Sequence, residues 1–226
     1  SGPAPGNVAR ACTAESSALG PLWIGVGGDE ALPVAMPLRE HGVSVILGSP
    51  RSGKSSLLAS LHALNPLVPW VYPPDTASAS PFWAVVAPQA AAKTLASNSI
   101  LLVDDADLLD PQGRQALAGL VGKVRGIVLA ATTRPALLHH LPLAKEAQAS
   151  GMGLVLAPGT PHDGELLGVR LESDRGGRPG RGFLISGAEV KPFQGVLATS
   201  FPSQAKGTER VPGSVHAAVC LEQPDG

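Results

Sequence analysis

The chain has almost no excess of charge and very little cysteine. Lys and Arg total 17 against 18 Asp and Glu, for a formal net charge of −1 and a sequence pI near 6.6. So balanced a composition carries no broad electrostatic footprint for nucleic acid or an anionic membrane, which disfavours DNA pumping, although a local basic patch stays compatible with it. Cys12 and Cys220 stand near opposite ends without metal spacing or a Cys-x-x-Cys neighbour, so they read as free thiols in a reducing compartment. No apolar run is long enough to span a bilayer, no signal peptide opens the chain and no internal repeat occurs, which gives the expectation of a cytosolic protein. At 226 residues and 44% hydrophobic, the chain can bury one sizeable core, with a small appended subdomain at most.

Against these absences stands one complete motif. Gly48-Ser49-Pro50-Arg51-Ser52-Gly53-Lys54-Ser55 is a G-x-x-x-x-G-K-[ST] phosphate loop (Walker A), set between the apolar run 43–47 and Ser56-Leu57-Leu58-Ala59-Ser60-Leu61. Its glycines let backbone N–H groups wrap a phosphate chain, and the following helix offers its positive end through Ser56. Lys54 supplies a point charge and Ser55 a hydroxyl for Mg2+. ATP is the expected ligand. Asp104 and Asp105 follow the run Ile100-Leu101-Leu102-Val103 as a Walker-type partner. A buried strand there is expected to project Asp104 toward the loop from the adjacent sheet position, where it holds the magnesium shell through water. Asp105 falls where a residue acting on the attacking water belongs, but is one methylene shorter than the Glu of many hydrolysing relatives. Asp107 and Asp110 continue the acidic turn, with Asp110 before Pro111 reading as a helix N-cap.

The rest of the chain alternates strand and helix. Residues 22–26 and 32–38 read as two short strands in a hairpin, the second demoted to an edge by Pro33 and Pro37. A helix runs from Lys54 to about Asn65, a short strand covers 69–72, 75–80 is a loop, and a helix lies at 90–95. Strands follow at 100–103, 126–131 and 153–156, with helices from Pro111 through Val121 and over 137–149. Residues 183–185 and 190–196 form an antiparallel hairpin about Ser186-Gly187-Ala188-Glu189. The expected fold is therefore α/β with a mostly parallel sheet, closed by the N-terminal and C-terminal hairpins. Residues 1–20 read as a Gly/Pro/Ala/Ser linker or leader of a fragment cut from a longer chain. Residues 21–200 form the module, and 201–226 are either a tail or a final strand near 215–221.

Ala131-Thr132-Thr133-Arg134-Pro135 carries polar side chains to the carboxyl edge of the sheet, where ligands of open α/β folds sit. Thr133 reads either as a sensor of the γ-phosphate or of water, or as a capping threonine in an ordinary turn. Arg134 and Arg181 are candidates for arginines acting on a neighbour's nucleotide, with a surface or salt-bridged role as the commoner reading. His139-His140 and His162-Asp163 lack partners for a metal site or a triad.

Together, residues 23–26, the phosphate loop, 100–105, Ala-Thr-Thr-Arg-Pro and Pro179-Gly180-Arg181-Gly182 resemble the FtsK/SpoIIIE family of ring-forming ATPases over about residues 22–196. More narrowly, residues 102–109, Gly164-Glu165-Leu166-Leu167-Gly168 and the Pro-Gly-Arg-Gly turn look like a late ATPase module of an EccC-type protein, the motor of type VII secretion. The resemblance implies a RecA-like P-loop NTPase that binds ATP and Mg2+, with Lys54 and Ser55 as phosphate and magnesium ligands and Asp104 as the magnesium-associated acid. FtsK translocases have Glu at the position of Asp105 and Gln at that of Thr133, so the departures imply weak hydrolysis and a docking or regulatory role. The implied partners are neighbouring ATPase modules of the same chain or ring and small helical-hairpin secretion substrates. The implied location is the cytoplasmic face of the cell membrane, reached only through an N-terminal region outside this sequence. The alternative is an FtsK-like DNA-translocating ATPase, weakened because no winged-helix DNA-reading domain follows.

Overall fold

The computed structural model describes residues 21–36, 38–75, 77–134, 136–174 and 178–196. The leader 1–20 with Cys12, residues 197–200, the tail 201–226 with Cys220, Pro37, Thr76, Pro135 and part of the glycine-rich turn at 175–177 lie outside the described residues.

Five strands form the parallel half of the sheet: β3 (Gly42–Gly48), β4 (Trp70–Val71), β5 (Ile100–Val103), β6 (Gly126–Thr132) and β7 (Met152–Leu156). Their sequences are nearly unbroken apolar runs because both faces are covered. Alternate residues feed two cores, as the two-residue strand period requires. Val43, Val45, Leu47, Leu101, Val103, Ile127 and Leu129 face α2 (Ala79–Ala91), α3 (Pro111–Ala118) and α5 (Ala144–Ser150). Ile46, Ile100, Leu102, Val128 and Leu154 face α1 (Lys54–Leu64) through Leu57, Leu58 and Leu61.

Among the described residues the sheet has nine strands in the order β2-β1-β9-β8-β7-β3-β6-β5-β4, where β1 is Leu22–Gly27, β2 Leu32–Met36, β8 Arg181–Ser186 and β9 Glu189–Gly195. The expectation of a mostly parallel sheet is corrected: the sheet is mixed. Pairing is parallel from β7 to β4 and antiparallel from β2 to β7. The reason lies in the connections. A parallel neighbour needs a crossover element, whereas β8 and β9 are joined by only Gly187 and Ala188, with Gly187 at φ +62°.

Two helices depart from the sequence expectation. The helix expected at 90–95 instead covers Ala79–Ala91 and ends where that one was to begin. Pro81 sits in its first turn, where the missing N–H has no intrahelical partner, and Pro88 is tolerated inside it. The single helix expected over 137–149 is broken into α4 (Leu137–His140) and α5, because Pro142 cannot donate to a preceding carbonyl.

At the end of α1, Asn65 does the work of a strand partner. Its Oδ1 accepts the Trp23 N–H at 2.9 Å, while Nδ2 donates to Trp23 O at 3.0 Å and to Leu61 O at 2.8 Å. One buried amide thus closes the helix and satisfies both backbone groups of a β1 residue. Asn65→Ala should cost about 2–3 kcal/mol, because it strands buried partners as well as losing its own bonds. Urea denaturation measures the loss, and hydrogen exchange should show the Trp23 amide opening ahead of the rest of β1.

Candidate nucleotide site

The loop that leaves β3 owes its shape to three local constraints. Gly48 lies where a Cβ would meet Ser52 Oγ at 2.5 Å and Leu156 O at 2.9 Å. Arg51 and Gly53 both adopt left-handed backbone, at φ +67° and +98°. The Ser52 N–H then donates to Ser49 O at 3.2 Å, closing the turn. Ser49, Pro50 and Arg51 are exposed at its tip, and Ser52 is buried with its Oγ lacking a hydrogen-bond partner. Ser55 is exposed and Ser56 half-buried on the first turn of α1, which has neither a side-chain cap nor an acidic residue. Its leading N–H groups are thereby left to an anion.

Lys54 points back under the loop. It is 7% exposed, and its Nζ donates to Gly48 O at 3.0 Å and Ser49 O at 3.1 Å. Burial lowers its pKa, while the fields of Asp105, Asp104 and Asp107 act to raise it. The acids therefore stand across from this ammonium. They do not come from an adjacent strand, as expected. β6 lies between β3 and β5, so the acid-bearing strand is one position further away. The intervening strand pairs with both, and Gly48 is in register with Thr132.

Asp104 accepts the Asp105 N–H at 2.9 Å, which turns the chain sharply out of β5. Asp105 is half-buried and takes left-handed backbone at φ +45°, an uncommon conformation for any residue but Gly, Asn or Asp. Its carboxyl is pushed above the usual aspartate range, first by burial and then by Asp104 and Asp107, against the opposing pull of Lys54. A cleft of about 270 Å³ opens beside this turn toward the start of α2, with Asp104, Asp105, Ser80, Leu108 and Asp110 in its wall.

Thr133 follows β6 at the same edge. Its N–H donates to Gly48 O at 3.4 Å, and its Oγ1 is buried without a partner. Arg134 is largely exposed and faces Asp107 at 3.9 Å. Arg181 instead faces Asp174 at 3.5 Å, but the turn before it docks on the phosphate loop, with the Gly180 N–H donating to Ser52 O at 2.9 Å. Asp110 caps α3 by accepting the Gly113 N–H at 2.7 Å. His139 and His140 are exposed on α4, and no metal-binding group of His, Cys, Asp or Glu occurs among the described residues.

The structure thus gathers the loop, Lys54, Asp104, Asp105 and Thr133 at one edge of the sheet. Sequence reasoning missed two members of this assembly. Asp107 was absorbed into an acidic turn, although its place three residues past Asp104 is the spacing that brings it back over the strand ends. Gly180 was noted only as part of a motif.

No protein-family model matches the sequence, and no curated protein matches it. Among solved structures, the fold is similar to the cytoplasmic domain of the type VII secretion ATPase EccC of Thermomonospora curvata. The TM-score is 0.58 at 16% identity, covering 80% of this chain and 26% of that one. ATPases 2 and 3 of the same EccC, in complex with a signal sequence peptide, match at 0.58 and 17%, covering 80% and 41%. ATPases 2 and 3 of EssC from Geobacillus thermodenitrificans match at 0.53 and 15%, covering 80% and 42%. The chain spans less than half the length of each of these structures. It has a mixed α/β fold. Within that class, its fold is similar to the ATPase domains of EccC and EssC, which bears out the resemblance read from the motifs.

The raised pKa of Asp105 has a thermodynamic sign. The folded state holds the Asp105 proton more tightly than the unfolded state, so the carboxylate's penalty grows as pH rises from the ordinary aspartate range through the folded value. It is fully present above the folded value. Asp105→Asn should raise the melting temperature at pH 7, and the gain should fade on acidification into the aspartate range. Melting curves across this window separate the effect from Asn's tolerance of left-handed backbone, which would give a gain independent of pH.

Proposed function

We propose that the chain is an ATP-binding module of an EccC-like type VII secretion motor, which docks substrate or regulates the assembly and hydrolyses ATP weakly. The observation that carries the reading is the buried Lys54, held by carbonyls of its own loop and facing an acid turn across one strand. The residues suit a Mg2+-bound nucleotide. The uncapped α1 terminus and the partnerless Ser52 and Thr133 hydroxyls offer groups for phosphate oxygens, and Gly48 leaves room that a side chain would fill. In this reading residues 48–56 hold the phosphates, and Ser55 with Asp104 holds Mg2+, which supplies charge neutralisation at the terminal phosphates. Thr133 and Asp105 act on the γ-phosphate or its attacking water, with Asp105 too short and too sharply turned for fast hydrolysis.

The fold shared with EccC and EssC supports neighbouring ATPase modules and helical-hairpin secretion substrates as partners. It also supports a place at the cytoplasmic face of the membrane, by way of a region outside this sequence. None of the described helices is long and apolar enough to cross a membrane. Within the boundaries read from sequence, 21–200 is the module, with a linker before it and a tail or final strand after it.

Lys54→Ala removes the charged contacts to the β- and γ-phosphates and should weaken ATP binding at least about tenfold, the scale of a charge-assisted hydrogen bond. Calorimetric titration decides it, and unchanged affinity would sink the site.

The alternative is an FtsK-like DNA translocase, and turnover separates the two. The free module should hydrolyse ATP slowly with or without duplex DNA. Asp105→Glu should raise the rate chiefly in an assembled multi-module chain, where a neighbour's arginine can contribute on the order of 10³–10⁵. Turnover of several per second by the free wild-type module, or stimulation by DNA, would replace the docking reading with a motor.

A further inference from the structure

The Asp107 carboxylate at this edge is almost wholly buried, and nothing above gives it a chemical task. It lies in the 3-10 turn Ala106–Leu108 with its side chain 3% exposed. Oδ1 accepts the Thr132 N–H at 3.2 Å. Oδ2 is buried and has no hydrogen-bond donor, although Nη2 of the largely exposed Arg134 stands 3.9 Å away. An anion in such a place is costly unless it is paired. If its only task were to receive the Thr132 amide, a neutral acceptor would serve without that cost. The second oxygen instead faces a cation at ion-pair range, too far for a hydrogen bond, so the contact is formed but not closed.

Between Thr132 and Arg134 lies Thr133, whose N–H is bonded to Gly48 at the root of the phosphate loop and whose buried hydroxyl has no partner. Two successive residues are therefore held by hydrogen bonds, Thr132 on the acid turn and Thr133 on the loop, and Arg134 after them faces the acid turn again.

We propose that Asp107 is a positioning residue, which holds Arg134 and the Thr132–Thr133 edge toward the terminal phosphate of a nucleotide seated on the Lys54 loop and so lets the module tell a triphosphate from a diphosphate. This rests on the nucleotide reading above. Thr133 supplies a neutral donor and Arg134 a fork of N–H donors, the chemistry suited to the oxygens that ATP has and ADP lacks. Asp107 touches neither phosphate nor metal and acts through the segment it anchors.

The test is the ratio of ATP to ADP affinity, measured by calorimetry with Mg2+ for wild type, Asp107→Asn, Arg134→Ala and the double variant. Asn retains an oxygen for the Thr132 amide and removes only the charge facing Arg134, so the fold should survive, which a melting curve checks. Asp107→Asn should weaken ATP binding about fivefold, near the upper end for a pair with one member in solvent, leave ADP within about twofold, and add nothing to Arg134→Ala. A purely structural role would move both nucleotides together. An unchanged ratio in a folded Asp107→Asn, or additive effects in the double variant, overturns the assignment and leaves the nucleotide site standing. Wild type that binds neither nucleotide overturns both. Should Asp107→Asn fail to fold, Arg134→Ala at its exposed position still decides the matter: an ATP to ADP ratio equal to wild type overturns the proposal, and a loss of about fivefold sustains it.

Discussion

A buried ammonium organises this molecule. Lys54 is tucked beneath the loop that carries it, and a charge in that position needs hydrogen-bond acceptors and an opposing field to remain ionised. The carbonyls of Gly48 and Ser49 supply the first, and the acid turn after β5 supplies the second. Those two requirements account for much of the local architecture. The loop must curl tightly enough to aim its carbonyls inward, which puts Arg51 and Gly53 in left-handed backbone and forbids a side chain at Gly48. Its root must not move, and β3 sits inside the sheet with parallel partners on both sides.

The strand order gives that arrangement its chemical content. With β6 between the loop strand and the acid strand, the site has three banks: loop, acid turn and the polar segment that leaves β6. The middle bank is bonded to both others, through Thr133 to Gly48 and through Thr132 to Asp107. Had the acids come from the neighbouring strand, that segment would have been displaced outward and could not have bridged them. The antiparallel half of the sheet contributes a third contact, from Gly180 to Ser52, on the far side of the loop.

The parallel strands were legible because burial on both faces leaves an unmistakable apolar run, and the loop was legible because its chemistry constrains residue type at fixed spacing. Strand order was not, since pairing joins residues distant in sequence and nothing local in Ile100-Leu101-Leu102-Val103 names its neighbour. Helix bounds were not legible either. The helix Ala79–Ala91 tolerates both Pro81 and Pro88, whereas Pro142 divides a stretch expected as one helix. Asp107 and Asn65 show another limit. Each is a polar residue whose value lies in a partner far along the chain, and composition marks it only as loop or helix end.

The bond between Gly180 and Ser52, and the pairing of β1 with β9, also set an order of events during synthesis. A chain leaving the ribosome presents the phosphate loop more than a hundred residues before the turn that braces it. Until the last hairpin emerges, the first strand has no partner on the side that β9 will occupy, and the Ser52 carbonyl lacks its donor. Contacts of such long sequence separation form late because loop closure must precede them. Nascent chains stalled short of β9 therefore carry a nucleotide motif complete in sequence but not yet braced, so competence to grip a ligand arrives with the closing hairpin rather than with the motif itself.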